Sequence, residues 1–92
     1  MEMQVPYYIV RSTTIDKGLT KVTEFKEKDR DVARREFMSK WESKVCAGFI
    51  GIIEFLKVEY EQDNHQGLVL LERVESNGFD ENKNHVMRYK CY

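Results

Sequence analysis

The stretch Asp29–Ala47, DRDVARREFMSKWESKVCA, decides the fold, because it is the one segment that reads clearly as a helix. Ala33, Phe37, Met38, Trp41 and Val45 fall within one apolar arc at helical spacing, and Arg35, Glu36, Ser39, Glu42 and Ser43 lie outside it. Asp29 or Asp31 can cap the first turn, and either carboxylate complements the positive end of the helix dipole. Asp31–Arg35 and Glu36–Lys40 stand at i,i+4 with the acid first, each contributing roughly a few tenths of a kcal/mol. Gly48 supplies the stop. Arg30 and Arg34 interrupt the arc. The plainer account lays their stems along the rim of a sheet that the helix overhangs; the sharper one is a small basic site.

Working outward, both flanks read as strands that need this apolar face. On the N-terminal side, Val5–Ile15 is β-branched and aromatic, with Pro6 suited to a strand start or an edge. Asp16-Lys17-Gly18 turns the chain into a second strand, Leu19–Glu27. On the C-terminal side, Phe49–Ile53 is apolar on both faces, as a central strand is, and Gly51 marks a bulge or a close backbone approach. Alternation then puts Leu56, Val58 and Tyr60 on one side and Lys57, Glu59, Glu61 and Asp63 on the other. Gln62–Gly67 reads as a polar loop, Leu68–Glu75 as a strand, Ser76-Asn77-Gly78 as a turn, Asp80–Asn84 as a charged loop and Val86–Tyr92 as a last strand. The order is ββαβββ: an α+β fold, one domain over residues 1–92, with an antiparallel sheet of four to five strands and one amphipathic helix on one face. Trp41, Phe37, Leu56, Val58 and Leu70 are assigned to its core.

Hydrophobic residues make up 41% of the 92 positions and aromatics 12%, enough for a core and against disorder. One helix and a small sheet do not readily bury so many aromatic rings, so a homodimer interface is expected. Fifteen basic and sixteen acidic side chains leave a formal charge of −1, which argues against a nucleic-acid binder held by net positive charge. The distribution is uneven. Residues 54–82 set eight carboxylates against only Lys57 and Arg73, while the last ten residues carry Lys83, Arg88 and Lys90 and no acid. Cys46 and Cys91 lack the spacing of a zinc site and read as free thiols. The start MEMQVPYY lacks the pattern of a signal peptide, so a soluble, cytoplasmic protein is expected.

Chemistry is sparse. His65 and His85 read as surface histidines rather than a metal pair, no glycine-rich phosphate loop is present, and no local signature accompanies either cysteine. The expectation is therefore a non-enzymatic protein with no cofactor and no metal. Two binding surfaces remain. Tyr7, Tyr8 and Phe25 near Arg11, Lys21 and Lys26 have the makings of a stacking platform for a nucleic acid. Alternatively, Glu59, Glu61 and Asp63 present negative charge at about 6.7 Å intervals along a strand, close to two steps of roughly 3.4 Å along one strand of a duplex. Glu54, Glu72 and Glu75 extend that array, and a two-fold dimer doubles it. Such a surface suits a basic, DNA-binding protein partner.

The acidic EFLKVEYEQDN stretch and the DENKN loop, in a Lys-, Glu- and Asn-rich single domain, resemble the small early proteins of T4-like phages. In size and character the chain is most similar to the Arn-type anti-restriction DNA mimics. The resemblance implies an inhibitor that occupies the DNA-binding surface of a host restriction or nucleoid protein. A structural interaction subunit is the remaining alternative.

Overall fold

A computed structural model describes residues 4–45 and 48–92, the side chains of Lys44 and Val45 excepted. Val45 as a core position and Cys46 as a thiol thus lie outside the described residues. The elements run β1 (Tyr7–Asp16), β2 (Leu19–Glu27), α1 (Arg30–Val45), β3 (Ile50–Gln62), β4 (His65–Phe79) and β5 (His85–Cys91). They form the expected ββαβββ fold: one antiparallel sheet in the order β2-β1-β3-β4-β5, with the helix packed on one face.

The helix begins where its sequence says. Asp29 Oδ1 accepts from the N–H groups of Asp31 and Val32 at 2.8 and 3.1 Å, so the first orphan donors of the helix are capped by a side chain. Ala33 and Phe37 from α1 are buried against Tyr8, Val10, Phe49, Ile53, Phe55 and Val74, with Trp41 and Met87 at the margin. Trp41 is only partly buried. Its ring stacks on Tyr89 at 5.0 Å, and its Nε1–H donates to Met87 Sδ at 3.0 Å.

Leu56 and Val58 are not under the helix. With Tyr7 and Ile9 they form a second buried cluster, flanked by Leu70, on the opposite face of the sheet. The reason is register. Val10, Phe55 and Glu72 stand opposite one another on the helix side, so their neighbours Ile9 and Leu56 point away from it. Gly51 is the close approach rather than a bulge: its φ is 146°, and a Cβ there would lie 2.0 Å from the carbonyl oxygen of Thr13.

Three segments differ from the sequence reading. Gln62–Gly67 is not a loop: β3 and β4 run through it to a two-residue turn at Asp63-Asn64, both with positive φ (46° and 72°). Asp and Asn are the non-glycine residues that tolerate that region, which makes a tight hairpin turn of them. Ser76-Asn77-Gly78 is likewise not a turn but an irregularity within β4, where its register on β5 shifts between Ser76 and Phe79. Finally, the alternation assigned along β3 fails at Glu59. The pairs Val58↔Leu68 and Tyr60↔Gly67 leave Glu59 as an extra residue, and the faces exchange beyond it.

Candidate functional site

The last pair between β1 and β3 is Tyr7↔Val58, and β5 pairs with β4 no further than Glu72. Residues 59–71 therefore extend as an outer hairpin beyond the helix-covered body. Because of the shift at Glu59, Glu61 comes to the face that carries Tyr7. The Tyr7 hydroxyl donates to Glu61 Oε2, and Gln66 Nε2 donates to the same carboxylate at 2.9 Å. These bonds hold the Glu61 carboxyl below the usual carboxylate range, so it remains ionised. Burial, reinforced by the Glu61 carboxylate, pushes the Tyr7 phenol up to about 12. Glu61, Gln62, Asp63, Asn64 and Gln66 line an open polar groove at the hairpin end.

Of the carboxylates named from sequence, Glu59, Glu61 and Asp63 are brought together on this hairpin, and all three are exposed. Glu59 lies 3.9 Å from Lys57, a half-exposed and screened contact. The other three go elsewhere. Glu54 stands between Arg11 and Arg73 on its neighbouring strands, in a row of alternating sign that begins with Glu24. Glu75 pairs with Arg73 at 3.3 Å. Glu72 faces the helix and is buried, at 5% exposure.

Glu72 explains the arginine that interrupted the helical arc. Arg34 Nε and Nη2 fork onto its two oxygens at 2.9 and 3.0 Å, and the Tyr89 hydroxyl donates to Glu72 Oε1. Burial raises the carboxyl of Glu72, but Arg34 and Tyr89 outweigh it and the net displacement is downward. In turn, the Glu72 carboxylate pushes Tyr89 up to about 12. Neither account of the sequence reading is met: Arg34 is neither a rim stem nor a free basic site but the helix's fastener to β4.

The stacking platform is not assembled. Tyr7 and Tyr8 are buried on opposite faces, Arg11 is bonded to Glu24 at 2.9 Å, and only Lys21 and Lys26 stand exposed. His65 is on the exposed hairpin, but His85 is no surface histidine. Its Nε2 lies 2.6 Å from Ser76 Oγ, with its ring against Phe49 and Phe79. Ser76 Oγ also donates to the Phe49 carbonyl. A hydroxyl has one proton, so with Phe49 accepting it, Nε2–H donates to Ser76, and the buried Nδ1 has no hydrogen-bond partner among the described residues. Nothing in the sequence around His85 signals this, because its partner sits across a strand pair. Among the described residues no helix is long and apolar enough to cross a membrane. Comparison with family models, curated proteins and solved structures finds no match to this chain.

Proposed function

We propose that this chain is a non-enzymatic, cytoplasmic inhibitor that engages a basic, DNA-binding protein through its outer hairpin. Glu59, Glu61 and Asp63 act as charge-presenting groups. One observation carries the reading: Glu59, Glu61 and Asp63 gather exposed on one hairpin without an arginine among them. Glu54, Glu72 and Glu75 drop out of the contact set, since each lies against an arginine of its own fold. The charged surface is thus smaller than the six-carboxylate array, and the resemblance to Arn-type DNA mimics is retained on that reduced footprint. Because Glu61 is already hydrogen-bonded by Tyr7 and Gln66, its position is set before a partner arrives, and little side-chain freedom is lost on binding.

The test is competition. A bacterial nucleoid protein with a basic DNA-binding surface is loaded with labelled duplex, and the chain is titrated in while fluorescence anisotropy is followed. The wild-type chain releases the duplex, and the Glu59→Lys, Glu61→Lys, Asp63→Lys variant does not. Equal release by both would end the hairpin reading. Binding of the labelled duplex by the chain alone, weakening steeply with salt, would favour a direct nucleic-acid binder instead.

A further inference from the structure

We infer that the sheet face turned away from the helix is the contact for a second copy of this chain, packed sheet on sheet about a two-fold axis running along the strands between β1 and β3. An antiparallel sheet with one bare face ordinarily turns its apolar residues to the core and its polar ones to water. Toward the Asp16 end of β1 this sheet does not. Val22, Thr13 and Ile52 stand side by side across β2, β1 and β3 on the bare face, with Ile15 and Ile50 two positions further along their strands. Val22 is 56%, Ile15 48% and Ile50 47% exposed. The one helix among the described residues lies on the other face.

The charges beside this patch select the occupant. The adjoining row on the same face reads Glu24, Arg11, Glu54, Arg73 across β2, β1, β3 and β4. A two-fold axis along the strands between β1 and β3 exchanges β1 with β3 and β2 with β4. Arg11 then faces the partner's Glu54, and Glu24 faces the partner's Arg73, so every acid in the row meets a base. An axis along the row itself would set each charge against its own copy. In the patch, Ile15 faces the partner's Ile50 and Thr13 the partner's Ile52. Val22 lies over the partner's Glu75, a carboxylate that Arg73 of its own chain holds at 3.3 Å. The row also has capacity to spare. Glu54 makes no ion pair among the described residues, and Arg11 engages Glu24 through Nε alone at 2.9 Å, leaving its Nη groups as donors. Sheets packed face to face lie about 10 Å apart with their side chains interdigitated, a gap that a facing arginine and glutamate span together. This contact does not depend on the partner reading, because the outer hairpin lies past Tyr7, at the other end of the sheet.

Sedimentation of the purified chain across a concentration series tests it, and the mass should rise to twice that of the monomer. Ile50→Lys, which lays an ammonium group in the apolar patch, should sediment as a monomer, while Tyr60→Lys on the outer hairpin remains a dimer. Charge exchange gives the sharper readout. Arg11→Glu and Glu54→Arg should each be monomeric alone, because like charges then face one another across the axis. Mixed in equal amounts, the two variants should form a heterodimer, in which positions 11 and 54 of both chains again meet an opposite charge. That rescue keeps the inference testable should Ile50→Lys fail to fold. A monomeric wild-type chain, a dimer indifferent to Ile50→Lys, or a mixture that stays monomeric would each overturn it.

Discussion

Tyr89 with Glu72 and Tyr7 with Glu61 are two phenol–carboxylate pairs on opposite faces of one sheet, and they end in different states of charge. On the helix side, Arg34 joins the pair, and the carboxylate is spent holding α1 to β4. On the far side the third member is the neutral amide of Gln66, so Glu61 keeps its negative charge while still being fixed in place. The same local chemistry thus makes a fastener where a cation is supplied and a charge-presenting group where it is not. The two apolar clusters beneath them differ in parallel: one is closed by a helix, the other lies beside the outer hairpin.

The largest effects should come from the clusters themselves. Phe37→Ala should cost about 3–5 kcal/mol and Leu56→Ala about 2–5 kcal/mol in chemical denaturation. A negligible cost at Leu56 would mean that the far-side cluster is not a core at all. Next comes Arg34→Ala, which strands a buried carboxylate and should cost about 3 kcal/mol, against about 1 kcal/mol or less for Gln66→Ala. Equal losses would erase the contrast. Replacing the fastener as a unit, Arg34→Met with Glu72→Leu, should be milder than Arg34→Ala alone, because no buried charge is left unpaired.

Smaller still are the pH effects. Glu72 and Glu61 are held below the ordinary carboxylate range, so their contribution to stability is complete above roughly pH 4.3, the unfolded glutamate value. It fades as the pH falls through the lowered folded values. Tyr7 and Tyr89 are displaced the other way, to about 12, so their contribution is complete below roughly pH 10 and is lost as the pH rises toward about 12. Phenolate absorbance should accordingly show Tyr7 and Tyr89 ionising late. Tyr7→Phe and Tyr89→Phe should each remove one late step. Loss of a single step by both variants would mean that only one of the pairs exists.

Much of this molecule was readable before folding was considered. The β2 limits, an aspartate cap at Asp29 or Asp31, the Asp16-Lys17-Gly18 turn and the Asp80–Asn84 loop all follow from interactions within a few residues, which a linear pattern records. The outer hairpin was missed in part because Asp63-Asn64 lacks the glycine that most plainly marks a tight turn, and polar residues on an extended ribbon resemble a loop. The candidate site was half legible. Glu59, Glu61 and Asp63 were named from their spacing, but Glu54, Glu72 and Glu75 were added to the array, and the fold sets each of these against an arginine.

What the residue order determined is therefore the element types, their succession and the single helix, because helical and strand periodicities and turn chemistry are local. Which carboxylates stay free was decided only by tertiary structure. A one-residue shift at Glu59 exchanges faces, and an arginine thirty-eight positions away in sequence reaches Glu72. Charge is a property of each residue, whereas its neutralisation depends on neighbours that only folding brings within a few ångströms.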